Sequence, residues 1–298
     1  MKEINAYLTK NPYFNDGKYI AAKDLRGFIL HSVGVGQPDA QVFLRSWNQP
    51  NYTNAGIHGF ITPEAVYYTA SCLEYGKVKR MPHAGKRWSN DRYIGFEMTE
   101  PAGLTYTGGD RFTVKDRAAA REFVAQTYRN AVSVFAKLCF IHGKYPTNPD
   151  VILSHREAGQ AGIATTHTDP EHLWKGLGLD YTMDTFREDV AMALCVMLLE
   201  QSLENRDAAL AYYSKLEEDG TMELFEREEN RMLKEKLMEL IDDRIRLMLL
   251  GETDAVPKWA KKEYAEAIEA GITDGSNPNA YATRLQAALM AYRASQKG

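Results

Sequence analysis

Two side chains between Val151 and Trp174 are suited to metal chemistry. His155 follows a short apolar run, and Asp169 lies well beyond one helical turn from it. Imidazole and carboxylate are ligands that zinc takes when three protein groups hold it and a water fills the fourth position. Gly159 and Gly162 allow the intervening loop to fold back and bring both side chains onto one ion. On its own, the pair is also explained by polar groups that are satisfied within a loop.

A candidate third ligand lies far upstream. The segment Phe28–His31 is another apolar run that ends in a histidine, as expected for a strand with a polar group at its carboxyl end. His31, His155 and Asp169 together would complete a three-ligand set on one side of an ion. Taken alone, however, a histidine at a strand end is more often a satisfied structural residue.

Four segments occur in a characteristic order. They are GFILHSVGVGQP from Gly27, HAG from His83, IGFEMTEP from Ile94 and SHREAGQAGIATTHTDPEHLW from Ser154. Together they resemble the zinc-dependent N-acetylmuramoyl-L-alanine amidases of the amidase-2 family, which shares its fold with peptidoglycan recognition proteins and the phage T7 lysozyme type. The resemblance covers residues 4–196 and is closest to prophage amidases of Gram-positive bacteria. It implies hydrolysis of the peptidoglycan bond between N-acetylmuramic acid and L-alanine.

The resemblance also assigns roles to individual residues. It makes His31, His155 and Asp169 the zinc ligands, and Glu97 the carboxylate that activates the zinc-bound water. His167 occupies a position where many relatives have lysine, and an imidazole there can still stabilise an oxyanion. Because imidazole loses its charge near neutrality, activity should be more sensitive to pH than with lysine. The alternative in which His167 replaces Asp169 as the third ligand stays open.

Other residues in these segments have less defined roles. His83 and His58 are candidates for substrate binding, although His83 could instead brace its loop and His58 could pack within the sheet. His142 and His172 are expected outside the site, with His172 able to brace the Asp169 loop. Ile57 lies near the position where some relatives have a tyrosine, so no tyrosine-assisted step is expected from that position.

The surrounding pattern predicts the elements that position these residues. Apolar runs and period-2 alternation predict strands, and apolar residues at three- and four-residue steps predict helices. Their interleaving predicts an α/β (α+β) fold, with a mixed central β-sheet flanked by helices and a helical C-terminal extension. The strands are predicted at 19–25, 28–31, 57–61, 65–69, 94–98 and 151–153, and the helices at 37–48, 113–142 and 182–199.

The character of the chain changes after residue 200. We expect residues 1–200 to form the zinc amidase domain, 201–252 a helical linker and 253–298 a small helical unit. This last unit resembles one S-layer-homology-type repeat, which implies binding to a secondary cell-wall polymer. Residues 221–250 lack Gly and Pro and carry an irregular apolar stripe, so they form either a coiled coil that makes the protein a homo-oligomer or a helix packed on the amidase domain.

Composition excludes several other classes of protein. A net charge of -4 without a Lys/Arg tract argues against nucleic-acid binding. Cys72, Cys139 and Cys195 are widely spaced and are predicted to be buried free thiols. The N-terminal segment does not resemble a signal peptide, and residues 190–199 are too few to span a membrane. We therefore expect synthesis in the cytoplasm, followed by action at the cell wall after release through a holin pore.

Two other functions fit part of this pattern. One is a non-catalytic peptidoglycan-binding protein of the same fold, and the other is an amidase that recycles soluble muropeptides. The complete set of ligand and base residues argues against the first, and the C-terminal repeat argues against the second. The favoured interpretation is a prophage endolysin with zinc as its cofactor.

Overall fold

The computed structural model of the protein describes residues 1–200 and four residues of a later helix, at positions 262, 265, 266 and 269. The chain divides into two units, Met1–Arg231 and Met232–Gly298, and the sheet and the candidate site lie in the first. The predicted helical linker, its coiled coil and nearly all of the predicted cell-wall repeat lie outside the described residues.

The first unit alternates strands and helices along the chain. The strands are β1 (Lys2–Asn5), β2 (Tyr19–Ile20), β3 (Gly27–Ser32), β4 (Gly59–Ile61), β5 (Ala65–Tyr68), β6 (Val78–Lys79), β7 (Tyr93–Met98), β8 (Leu104–Gly108), β9 (Arg111–Val114) and β10 (Ile152–Ser154). The helices are α1 (Ala40–Trp47), α2 (Arg87–Asn90), α3 (Arg117–His142), α4 (His155–Gln160), α5 (Glu171–Leu177) and α6 (Met183–Glu200).

The central sheet is mixed, which confirms the predicted fold class. Its strand order is β1-β5-β4-β7-β3-β10. The β4–β5 pair is antiparallel, whereas β1–β5, β4–β7, β7–β3 and β3–β10 are parallel. Strands β4, β7, β3 and β10 therefore run in one direction, and their carboxyl ends meet at one edge of the sheet.

Strands β3 and β7 are neighbouring interior strands of the sheet, and both of their faces are covered. Every residue of β3 is buried, as expected for a strand with a continuous apolar run between two layers. In β7 the side chains alternate, so that Ile94, Phe96 and Met98 share one face and Gly95 and Glu97 the other. Helix α3 packs on the apolar face. The β7 alternation therefore leaves Glu97 on the side away from this helix.

Helices α3 and α6 form the layer behind the sheet. The rings of Phe96 and Phe135 are 6.2 Å apart, and those of Phe135 and Phe186 are 5.2 Å apart, so one aromatic cluster joins the sheet to both helices. In residues 1–200 and the four later positions, no helix is long and apolar enough to cross a membrane. Cys72 and Cys139 are free thiols, and all three cysteines, Cys72, Cys139 and Cys195, are buried as predicted.

The start predicted for the long helix, Thr113, is wrong. Helix α3 begins at Arg117, because the Asp116 side chain accepts a hydrogen bond from the Ala119 N–H and caps it. The preceding residues instead form the hairpin β8–β9, whose turn uses Gly108 and Gly109 at positive φ. The predicted strand at 19–25 is also shorter and ends at Ile20.

Candidate active site

Strand register brings three of the predicted site residues to one edge of the sheet. His31 in β3 lies opposite Glu97 in β7. Ser154, the last residue of β10, lies opposite Leu30, so the next residue, His155, lies beside His31. In open α/β sheets, ligands bind at this edge, outside the carboxyl ends of the parallel strands.

His31, His155 and Asp169 offer ligand atoms that converge on one point. His31 Nδ1 is 3.0 Å from His155 Nδ1 and 3.4 Å from Asp169 Oδ2, and His155 Nδ1 is 3.7 Å from Asp169 Oδ1. Three zinc bonds of about 2.0–2.2 Å in tetrahedral directions would separate the ligand atoms by about 3.3 Å. All three residues are buried. The donor types and their spacing therefore fit a zinc ion.

Local contacts hold His155 and Asp169 in this arrangement. Ser154 caps α4 through a capping box with Glu157, which places His155 in the first turn of the helix. The Nε2 of His155 is 3.0 Å from Thr165 Oγ1, so its Nδ1 points towards the other ligand atoms. The Ser32 N–H donates to Asp169 Oδ2 at 3.3 Å. Burial, together with the neighbouring His31, lowers the pKa of His155 to about 4.

Glu97 is a carboxylate without a protein partner beside this cluster. Its Oε2 is buried and finds no hydrogen-bond donor in the described part of the chain. Burial, followed by the negative charges of Asp169 and Glu100, raises its pKa well above the ordinary value. Two basic residues that precede Glu97 in the sequence are engaged elsewhere: Lys86 donates to the Gly162 carbonyl, and Arg92 donates to the Trp88 carbonyl.

His167 lies at the rim of the cluster. Its side chain is 60% exposed, and its Nδ1 is 3.7 Å from Asp169 Oδ1. Its ring centre is 4.3 Å from that of His155. The buried carboxylate of Asp169, with His31 and His155, makes the compact donor set, and His167 lies at its solvent side.

The structure separates the two candidates for substrate binding. His83 lines the cleft, and its Nδ1 is 2.9 Å from His31 Nε2. His58 is fully buried, its Nδ1 accepting the Gly95 N–H and its Nε2 contacting the Lys79 carbonyl oxygen at 2.7 Å. Burial lowers the pKa of His58 to about 4 and that of His83 well below its ordinary value. The structure thus places His58 behind the cleft rather than in its wall.

The cleft is also lined by residues that the sequence did not reveal. It has a volume of about 750 Å³, and these further lining residues are Trp47, Tyr106, Asp110 and His172. The Tyr106 hydroxyl is 2.9 Å from Glu100 Oε2 and 2.6 Å from His172 Nε2. His172 was expected outside the site, whereas the structure places it in the cleft wall. Tyr106 and His172 meet because the β8–β9 hairpin packs on α5, and no local motif signals that contact.

A comparison of the sequence with known families agrees with this arrangement. Residues 21–172, about half of the chain, match the amidase-2 family, described as N-acetylmuramoyl-L-alanine amidase. The chain belongs to this family. It is therefore an amidase whose substrate is peptidoglycan, and the resemblance noted in the sequence is confirmed. Among curated protein sequences, none matches this amidase.

Several solved structures are similar to the amidase. The hydrolase AmiA of Staphylococcus aureus, solved with its ligand, has 16% identity and a TM-score of 0.48, over 66% of this chain and 85% of its own. A mutant endolysin from Bacillus subtilis has 17% identity and a TM-score of 0.43, over 64% and 99%. The amidase LysC of Clostridium intestinale has 12% identity and a TM-score of 0.29, over 60% and 97%. The assignment rests on the family match, because these likenesses are distant.

Proposed function

We propose that this amidase hydrolyses the bond between N-acetylmuramic acid and L-alanine with a zinc ion held by His31, His155 and Asp169. The convergence of these three donors beside the unpartnered Glu97 carboxylate is the observation that carries the proposal. Zinc bound there would polarise the scissile carbonyl and lower the pKa of water from about 16 towards 7.

Glu97 and His167 supply the proton transfer and the charge stabilisation in this proposal. When it is ionised, a carboxylate with a raised pKa is a stronger base than an ordinary carboxylate. Glu97 accepts the proton of the attacking water and passes it to the departing amine of L-alanine. His167, at the solvent side of the donor set, donates a hydrogen bond to the carbonyl oxygen as it gains negative charge. Both groups lie on the cleft, which is large enough to bury part of a glycopeptide.

We further propose that the protein acts at the cell wall through a modular chain. In this proposal, residues 1–200 carry catalysis, 201–252 form a helical linker and 253–298 bind a secondary cell-wall polymer. Association through residues 221–250 would then give the oligomer one copy of the 253–298 repeat from each chain. The sequence pattern supports these assignments, and release through a holin pore stays the route predicted from the resemblance to prophage amidases. A monomeric mass in light scattering would contradict the association.

The test of the catalytic proposal is release of L-alanine amino termini from purified Gram-positive peptidoglycan. Wild type should release amines, a chelator should abolish the release and added zinc should restore it. His155→Ala should release none. The matched control is His142→Gln, because His142 is also buried but bonds the Cys72 carbonyl away from the cleft. Release of reducing sugars instead of amines would overturn the proposal.

The same assay separates the remaining alternatives. A folded wild type that binds zinc but releases no amine from any wall would be the non-catalytic binding protein. Release from soluble muropeptides without release from intact walls would identify a recycling enzyme.

A further inference from the structure

We propose that His83 is a positioning residue, which fixes His31 in the tautomer whose Nδ1 carries a free lone pair towards the metal. The inference rests on the proposed function, because it concerns the orientation of a proposed ligand. It assigns to His83 a role other than substrate contact.

A main-chain oxygen determines which nitrogen of His83 carries a proton. His83 Nε2 is 3.0 Å from the Tyr93 carbonyl oxygen. A carbonyl oxygen can only accept, so the proton of this bond belongs to His83 Nε2. In a neutral ring, the other nitrogen, His83 Nδ1, is then an acceptor. It lies 2.9 Å from His31 Nε2, which must therefore carry the proton of the second bond.

The consequence appears on the far side of the His31 ring. With its proton on Nε2, a neutral His31 has a lone pair on Nδ1. This is the atom that faces His155 Nδ1 at 3.0 Å and Asp169 Oδ2 at 3.4 Å. A metal ligand needs that lone pair, and the hydrogen bond made by the other ring nitrogen decides where it is. The Tyr93 carbonyl thus determines, through two successive hydrogen bonds, that His31 Nδ1 is free to bind a metal.

If His83 Nδ1 instead donated to His31 Nε2, His83 would have to be charged, because its Nε2 already donates to the Tyr93 carbonyl. If both of its nitrogens carried protons, a cation would be buried behind His31. In residues 1–200, no carboxylate is hydrogen-bonded to His83, and burying an unpaired charge is costly. When His83 is neutral, its Nε2 donates to the Tyr93 carbonyl and its Nδ1 accepts from His31 Nε2, so both ring nitrogens have a partner.

Two further contacts fix the position of the His83 ring. Asn90 Oδ1 accepts the N–H groups of His83 and Ala84, at 3.0 and 2.9 Å, which holds the loop backbone. The ring lies over Gly95, where an added Cβ would be 2.4 Å from His83 Nδ1. The glycine in β7 therefore provides the space in which His83 reaches His31. The motifs at His83 and at Ile94 are coupled by this contact.

His58 provides a matched control within the same protein. Its ring centre is 5.8 Å from that of His83, and its side chain is fully buried. Both of its nitrogens contact main-chain atoms, of Gly95 and Lys79, and neither contacts His31. Replacing His58 should therefore cost stability without changing the orientation of a ligand.

The first experiment is zinc titration of the full chain against a chromophoric chelator. Loss of a group that orients a ligand typically costs about 10–100-fold in metal affinity. We expect that loss for His83→Phe, which removes the acceptor. His83→Asn keeps an acceptor oxygen near the position of Nδ1 and should bind several-fold more tightly than the Phe variant. His58→Asn should match wild type. Wild-type affinity in folded His83→Phe would overturn the inference.

The second experiment needs no substitution. Nitrogen-15 spectra of the histidine rings in the zinc-free wild type should show His31 and His83 protonated at Nε2 and bare at Nδ1. A proton on His31 Nδ1 would overturn the inference even if the variants do not fold. Failure of the proposed function would be distinguishable, because wild type itself would then bind no zinc while the spectra would still report the tautomer.

Discussion

At the residue scale, Glu97 combines a reactive position with an unusual environment. The alternation of β7 could be read from the sequence, because Ile94, Phe96 and Met98 are apolar and Glu97 falls between them. The proximity of Glu97 to Asp169 could not, because Asp169 comes from a distant segment of the chain. Burial and that proximity raise the pKa of Glu97 above its ordinary value.

Glu97→Gln tests this role with little change in shape. The amide cannot accept a proton from water, so amine release should fall by about 10²–10⁴-fold. Zinc content should stay at the wild-type value, because Glu97 is not among the three converging donors. Both quantities can be measured on one preparation. The control is Glu74→Gln, an exposed carboxylate paired with Lys77. A folded Glu97→Gln enzyme within a few-fold of wild-type activity would exclude Glu97 as the base.

Single residues also mark the limit of sequence reasoning about this site. His31, His155, Asp169 and Glu97 could be proposed because each lies in a recognisable segment, and the structure brings all four to one edge of the sheet. Tyr106 could not be found in this way. Its contacts with Glu100 and His172 depend on how a hairpin folds over a helix, which no sequence spacing encodes.

At the element scale, burial decides which strands could be predicted. Strands β3, β7 and β10 are covered on both faces and read as apolar runs, so they were found. The β8–β9 hairpin was missed because its strands are short and largely exposed. The short pair β2–β6 was missed as a pair for a related reason. Each of its strands has only two residues, and an ion pair between Lys79 of β6 and Asp16 helps to hold β6 in place.

That ion pair predicts a pH-dependent stability. Lys79, in β6, is 2% exposed at its side chain, and its Nζ is 2.6 Å from Asp16 Oδ1. Burial raises the pKa of Asp16, but hydrogen bonds from Lys79 and from the Lys18 backbone outweigh it and hold the pKa below the ordinary value. Asp16→Asn leaves a buried ammonium without its counter-charge. We expect it to cost about 3 kcal/mol of unfolding free energy at pH 7.

The sign of the pH effect follows from the lowered pKa. A carboxylate whose pKa is lower in the folded state stabilises the protein above its unfolded pKa of about 3.9, and this stabilisation is lost as pH falls through the folded value. Urea denaturation at pH 7 and pH 3 should therefore give a smaller difference between wild type and Asp16→Asn at pH 3. Asp24→Asn, at an exposed position, is the control. An equal difference at both pH values would show that the pairing is not electrostatic.

At the scale of the whole molecule, the site is complete within a part of the chain. Every strand of the six-stranded sheet, the three converging donors and Glu97 lie before residue 170, and α6 closes the layer behind the sheet at Glu200. The family match ends at residue 172. If residues 201–298 attach the protein to the wall, as proposed, we expect catalysis and wall attachment to be separable.

A fragment of residues 1–200 should show this separation. On a soluble muropeptide, its rate should equal that of the full chain, because both present the same cleft. On intact walls, the full chain should bind more tightly, by about 10²-fold or more if several repeats attach at once. Co-sedimentation with walls measures this binding, and walls stripped of secondary polymers are the control that should remove the advantage. If the fragment and the full chain bind native walls equally, the C-terminal unit is not an anchor. If the fragment folds but loses its activity on the soluble substrate, the later residues contribute to catalysis itself.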